Sequence, residues 1–160
     1  MPCLVASFDP AIGPILGVII TAAGSIQSLA QPVGTTIPQS VFTPVTPIPL
    51  LVDTGADVTC ISPQIARQLN LTPIGLRPVG GATAVPGLRN KYLVDIGIPF
   101  AGPPMPGGGI TPALTLVVPN IEVIEFIGGN PHFQGLLGRD ILMNAHLSIS
   151  CFARTFTFCM

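Results

Sequence analysis

The chain has 160 residues, of which 8% are charged and 48% are hydrophobic, and its formal net charge is −1. This length allows one domain with a real core but is too short for two lobes of ordinary size. Its seven acidic and six basic residues are scattered singly and form no stripe that would neutralise phosphates, so nucleic acid is not expected as a partner.

Short strands dominate the prediction, because 18 glycines and 19 prolines punctuate runs of Val, Ile, Leu, Thr and Phe, as is typical of an all-β chain. Residues 11–24 are the most apolar run, but they are too short for a membrane-spanning helix and are interrupted by Gly13 and Pro14. Two stretches rich in Pro and Gly, about 25–49 and 99–112, are predicted to be insertions at the surface. Strands are predicted, in chain order, at Leu16–Ala22, Leu50–Asp53, Val58–Ile61, Tyr92–Ile98, Ala113–Val118, Ile121–Ile127 and Thr155–Cys159.

Two short helices are also predicted. The first begins at Pro63 with Ser62 as its N-cap and ends near Asn70. The second spans Arg139–Ala145 and has Asp140 in its first turn, where a carboxylate is favoured by the helix dipole.

The four cysteines show no metal-binding or redox spacing and are predicted to be buried or free thiols. No metal or cofactor is therefore expected. A nucleophilic pair of Cys60 with His132 or His146 stays open as an alternative, although a core role is favoured for Cys60. The segment MPCLVASFDP lacks the basic start of a secretory signal, so the compartment is left open with cytoplasm as the default.

The strongest chemical motif follows the apolar run Leu50–Val52. Asp53 follows this strand and begins a tight turn with Thr54 and Gly55. Because Gly55 has no side chain, backbone amides can approach the Asp53 carboxylate. The Thr54 hydroxyl is predicted to lock the turn. The sequence thus indicates a rigidly held, reactive carboxylate at residue 53.

A second motif, Gly135–Leu142, reads as an apolar strand, a glycine turn and a helix start. Together the two motifs resemble the retropepsin-like aspartic proteases, the single-lobe family typified by retroviral proteases. In that family a D-T/S-G-A turn precedes a late hydrophobic-hydrophobic-Gly-Arg-Asp/Asn helix start. The resemblance covers about residues 14–159 of a single domain, 1–160, and implies a closed acid-protease β-barrel with one or two short helices.

The resemblance also implies roles for individual residues. Asp53 becomes the catalytic carboxylate, with Thr54 and Gly55 completing its turn, and Asp57 pairs with Arg139 as a brace. The segment from Pro78 to Val85 is similar to the family's flap hairpin, which covers the substrate. Substrate-binding positions are then Ala56, Asp57, Gly80, Gly81, Ala82 and Thr83, and structural support comes from Arg139 and Asp140.

A single Asp-Thr-Gly implies a homodimer, because metal-free amide hydrolysis by this route needs two carboxylates that share a proton. The nearest second candidate, Asp95, lacks the hydroxyl residue after it and is predicted to face solvent. The low charge and the apolar end Thr155–Phe158 suit strands that interleave between two chains. The predicted function is an aspartic-type endopeptidase acting on peptide or protein substrates. Two alternatives remain, a non-catalytic peptide-binding module with the same fold and, least favoured, a membrane association through residues 11–24.

Overall fold

The computed structural model describes residues 2–25, 36–38, 47–80, 87–100, 114–128 and 130–160. Most of the predicted insertions at 25–49 and 99–112 lie outside these residues. The helices are α1 (Pro63–Gln68) and α2 (Arg139–Leu142). The strands are β1 (Cys3–Ser7), β2 (Ile15–Ala22), β3 (Thr36–Pro38), β4 (Ile48–Val52), β5 (Cys60–Ile61), β6 (Gly75–Val79), β7 (Gly87–Phe100), β8 (Leu114–Glu125), β9 (Gly135–Leu137), β10 (His146–Ser150) and β11 (Thr155–Cys159).

The described strands build a mostly β structure around a closed barrel. Six strands follow one another in the order β8, β5, β9, β4, β2 and β7, and β7 pairs with β8 to close the ring. The pairs β4–β9 and β5–β8 are parallel, and the other pairs in the ring are antiparallel. Closure leaves the ring without an open edge, and its interior is filled by buried aliphatic side chains such as Val18, Leu50 and Ile96.

The run at 11–24 forms the strand β2, as predicted. Its first half pairs with β4 and its second half with β7. No helix within the described residues is both long enough and apolar enough to cross a membrane.

One long strand, β8, replaces the two predicted at Ala113–Val118 and Ile121–Ile127. The residues between them, Pro119 and Asn120, predict a break between two strands, but in the structure they form a β-bulge within one strand. Asn120 has φ 56°, and the register of β7 against β8 shifts between Val94 and Ile96. A bulge leaves an unpaired residue and bends the strand, so the barrel wall curves here without ending.

The prediction that Asp95 faces solvent is wrong. Asp95 is fully buried beside this bulge. Its carboxylate accepts hydrogen bonds from the backbone N–H of Asn120 at 2.9 Å and of Gly24 at 3.0 Å. Buried charge requires such donors, so Asp95 supplies the acceptors that the bulge and the turn after β2 would otherwise lack.

The first helix confirms its predicted start. The Ser62 hydroxyl accepts a hydrogen bond from the Ile65 N–H at 3.3 Å, Pro63 occupies the first turn, and Ile65 and Ala66 are buried. The second helix starts at Arg139 as predicted but is shorter than expected and ends at Leu142.

A separate three-stranded sheet joins the two ends of the chain, in the order β1, β11, β10. The strand β11 is paired on both edges within its own chain, and its Phe156 and Phe158 are buried in the core. The expectation that Thr155–Phe158 interleaves with a second chain is therefore wrong, because this strand has no open edge.

The same sheet corrects the prediction for two of the cysteines. Cys3 and Cys159 lie opposite each other in the β1–β11 register and form a disulfide. Cys60 and Cys151 are free. The spacing of Cys3 and Cys159 did not predict the disulfide, because their pairing depends on strands from opposite ends of the chain.

Candidate active site

Asp53 follows β4 directly and sits at the start of a tight turn. Its N–H donates to the Leu137 carbonyl at 3.1 Å, which ties the turn to β9, and its carbonyl accepts from Ala56 N–H at 3.2 Å. The carboxylate Oδ1 accepts from the Gly55 N–H at 2.8 Å. A Cβ on residue 55 would lie 3.1 Å from that oxygen, so glycine allows the close approach. The carboxylate is therefore oriented by backbone groups and remains partly exposed.

Thr54 and Gly55 are both exposed. Within the described part of the chain the Thr54 hydroxyl has no hydrogen-bond partner, so these residues do not form the predicted lock on the turn. The turn instead presents a hydroxyl and a backbone to the surface.

A buried polar network holds the two motifs together. Thr59 is fully buried. Its hydroxyl donates to Asp140 Oδ1 at 2.7 Å and accepts from the Gly138 N–H at 3.0 Å. The Thr59 N–H also donates to Asp140 Oδ2 at 2.9 Å. Asp140 therefore anchors the segment after Asp53 to the start of α2. The sequence predicted only that Asp140 lies in the first turn of the helix, and did not predict this contact.

Gly138 is required by this packing. A Cβ on residue 138 would lie 2.5 Å from the Val58 carbonyl carbon and 2.7 Å from the Thr59 nitrogen. Both are backbone atoms and cannot move aside, so the strand-to-helix turn can approach the Asp53 segment only without a side chain at this position.

The predicted ion pair between Asp57 and Arg139 is present, with Arg139 donating a hydrogen bond to Asp57 Oδ1. Both side chains are largely exposed. The Arg139 N–H also donates to the Ala56 carbonyl at 2.8 Å. Two contacts therefore link the turn to the first residue of α2, and the charge of Asp57 is compensated locally.

Asp53 lies in the wall of a cavity of about 470 Å³. The predicted residues Gly55, Ala56, Asp57 and Gly80 share this cavity. The structure adds residues that the sequence analysis did not assign to the site. These are Val58, Cys60, Arg77, Pro78, Val79, Ile124, Phe126 and Leu136.

The added residues give the cleft an apolar wall. Ile124 and Phe126 alternate on one face of β8 and its continuation, and Leu136 comes from β9. The alternation of side chains along β8 indicates that Ile124 and Phe126 share a face. Which face of β8 meets Asp53, however, depends on the parallel pairing of β5 with β8. Such pairing between distant segments is not readable from one sequence.

Cys60 contributes to the same wall. Burial, followed by the negative charges of Asp140 and Asp53, raises the pKa of its thiol to about 11. The thiol donates to the Val58 carbonyl at 3.3 Å. His132 and His146 are exposed, and neither bonds to Cys60 among the described residues, so the nucleophilic pair has no support.

At the predicted flap, β6 and β7 pair antiparallel up to Val79 opposite Gly87. Gly80 follows β6 and faces the cleft. The remaining predicted flap residues, Gly81, Ala82 and Thr83, lie outside the described residues.

Every other acidic residue of the chain has a partner of its own. Asp9 accepts from the Ala11 N–H, Asp57 from Arg139, Asp95 from Gly24 and Asn120, Glu122 from Lys91, Glu125 from Asn90, and Asp140 from Thr59. Among the described residues, the Asp53 side chain alone both lies in this cleft and bonds only to the backbone of its own turn.

A larger cavity of about 630 Å³ lies between α1 and β7, lined by polar residues that include Arg67, Asn90, Tyr92 and Glu125. Burial, followed by the charge of Glu125, raises the pKa of Tyr92. None of the predicted site residues lines this cavity. Size alone therefore does not identify the site, and the chemistry favours the smaller cleft at Asp53.

Comparison with known families gives one match. Residues 41–96, which include Asp53 and the first part of the hairpin, match the model of an aspartyl protease family. The match supports the predicted aspartic protease family. Among solved structures, a retropepsin-like aspartic protease from Rickettsia conorii is 16% identical over 91% of each chain, with a TM-score of 0.44. No curated protein matches the chain.

Proposed function

We propose that this chain is an aspartic-type endopeptidase in which Asp53 is the catalytic carboxylate and two identical chains form one active site. The observation that carries the proposal is the Asp53 carboxylate, oriented by the Gly55 N–H at 2.8 Å and facing an apolar cleft. The aspartyl protease match spans the same residue.

The need for a second chain follows from the chemistry. Hydrolysis of an amide by carboxylates requires one group to activate water and another to protonate the leaving nitrogen. Two carboxylates held together share one proton, as is established for aspartic proteases as a class. The other carboxylate in the cleft, Asp57, is compensated by Arg139, so it is poorly suited to share a proton.

The exposed turn supports assembly around Asp53. Thr54 and Gly55 are at the surface, and no described segment of the same chain covers them. A two-fold axis passing beside this turn would bring two Asp53 side chains together, which is the common symmetry of homodimers.

The reaction then proceeds without cofactor chemistry. The ionised Asp53 of the pair takes a proton from a bound water, whose oxygen attacks the scissile carbonyl carbon. The protonated Asp53 of the pair gives its proton to the carbonyl oxygen, so that a tetrahedral diol forms. The Asp53 that took the proton from water then passes it to the amide nitrogen, and the C–N bond breaks. One diol hydroxyl returns its proton to the other Asp53, which leaves the new carboxyl group and releases the two peptides.

Cleavage of a mixed peptide library between about pH 4 and pH 7 tests the activity. Asp53→Asn is expected to lower the rate by a factor of about 10² to 10⁴, the usual contribution of acid–base catalysis. Asp9→Asn is the matched control, because Asp9 is an exposed turn acid that bonds the Ala11 N–H. Equal activity in wild type and Asp53→Asn would eliminate the assignment.

Mixing the two proteins tests the two-chain site. An excess of Asp53→Asn is expected to suppress wild-type activity, because mixed pairs hold one carboxylate each. Undiminished wild-type activity in the mixture would indicate that one chain is sufficient. Peptide binding without cleavage by the wild type would favour the alternative of a non-catalytic binding module.

A further inference from the structure

Three of the chain's six cationic side chains lie on one face of the β6–β7 hairpin. Arg77 is directly opposite Arg89 in the register, and Lys91 is opposite Gly75. Residues opposite each other in an antiparallel pair share a face, as do residues two apart in one strand. We call Arg77, Arg89 and Lys91 the basic face.

Such clustering is unexpected in a chain with so few charges. Like charges directly opposite each other on a sheet repel, so the Arg77–Arg89 repulsion is a cost to folding. A concentration of positive charge that folding does not favour points to a ligand.

Glu122 contacts two of the three cations of this face. Glu122 Oε2 bonds Lys91 Nζ at 2.7 Å, while its other oxygen lies 3.7 Å from Arg77. A single negative charge shared by Arg77 and Lys91 leaves a positive surplus at this pair. The Arg77 and Glu122 side chains are 45% and 38% exposed, so this surplus faces solvent.

The basic face adjoins the catalytic cleft. Arg77 lines the same cavity as Asp53, Ile124 and Phe126. Glu122 lies on the same face of β8 as Ile124, because side chains two apart point the same way. The Cys60 thiol lines the same cavity, and the charges of Arg77 and Asp53 both act on its pKa. A peptide that fills the apolar cleft would therefore continue along Arg77.

We infer that the preferred substrates are acidic, with an Asp or Glu side chain that contacts Arg77 beside an apolar residue held in the cleft. The inference rests on the proposed peptidase function and names its substrate class. Arg77 determines the preference, and Arg89 and Lys91 extend it to further acidic residues. Each exposed ion pair is expected to contribute about a two- to fivefold preference, and salt weakens it.

The test compares two fluorescent peptides that differ only in Glu against Gln beside an apolar residue. Binding to Asp53→Asn is measured by fluorescence anisotropy, so that cleavage does not consume the probe. We expect the Glu peptide to bind about fivefold more tightly at about 20 mM salt, and this advantage to shrink strongly at about 500 mM.

Three further substitutions in the Asp53→Asn background sharpen the test. Arg77→Gln is expected to remove most of the advantage. Glu122→Gln is expected to increase it, because the surplus of positive charge grows. Arg67→Gln is the control, since Arg67 is an exposed cation on α1 that lines the other cavity, and it is expected to leave the advantage unchanged.

Equal binding of the two peptides, or an advantage that Arg77→Gln leaves intact, would overturn the inference. Failure of the proposed function has a different signature, because a wild type that cleaves neither peptide can still show charge-dependent binding. A wild type that cleaves both with equal kcat/KM would keep the peptidase and remove the acidic preference. A chain that neither binds nor cleaves either peptide would overturn both.

Discussion

Replacing Thr59 by Val is expected to destabilise the chain more than any change of similar size at its surface. The substitution keeps the shape of the side chain and removes the hydroxyl that bridges Asp140 and Gly138. A hydrogen bond to a charged carboxylate contributes about 1.5–3 kcal/mol, and a buried N–H left without an acceptor costs about 1–3 kcal/mol. The expected loss is therefore about 2.5–6 kcal/mol of the free energy of unfolding, a large share of the roughly 5–15 kcal/mol typical of folded domains.

Urea unfolding followed by circular dichroism measures this loss. Thr59→Ser is the matched control, because it keeps the hydroxyl and removes one buried methyl, with an expected cost of about 1 kcal/mol. If Thr59→Val costs no more than Thr59→Ser, the hydroxyl does not bridge the two motifs and the reasoning fails.

Two predictions concern the cysteines. Reducing the Cys3–Cys159 disulfide is expected to lower the free energy of unfolding by up to about 5 kcal/mol, because the bond spans 156 residues of sequence and constrains the unfolded chain. Unfolding with and without reductant measures this loss. If reductant destabilises the Cys3→Ser variant, which cannot form the bond, as much as it destabilises the wild type, the effect does not come from the disulfide. At neutral pH, alkylation of Cys60 is expected to be about 100-fold slower than that of an ordinary thiol, because its pKa is raised from 9.0 to about 11 and the reactive thiolate is correspondingly scarce. Mass spectrometry of the alkylated peptides measures the rate, and alkylation at the rate of an unstructured cysteine peptide would refute it.

The sequence predicted those parts of the site that depend on local chemistry. The turn at Asp53 follows from an apolar strand and a glycine, and the start of α1 follows from Ser62 and Pro63. Each involves residues within a few positions of one another. The contact between Asp57 and Arg139 was also predicted, although they are 82 residues apart. This prediction came from the family resemblance, since the distance between two residues in sequence does not show that they meet.

The errors share a physical cause, which is pairing between distant segments. Asp95 resembled an exposed strand residue because its donors, Gly24 and Asn120, are 71 and 25 residues away. Asn120 resembled a strand break because the acceptor that stabilises its bulge is Asp95. Neither residue could be interpreted correctly without the other.

The pairing of β11 with β1 and β10 has a consequence for regulation. Since the last strand completes its hydrogen bonds within its own chain, this sheet forms without strands from a second chain. If two chains form the active site as proposed, dilution would separate folded, inactive subunits that regain activity on concentration. Local abundance would then switch the enzyme, with no refolding step between the two states.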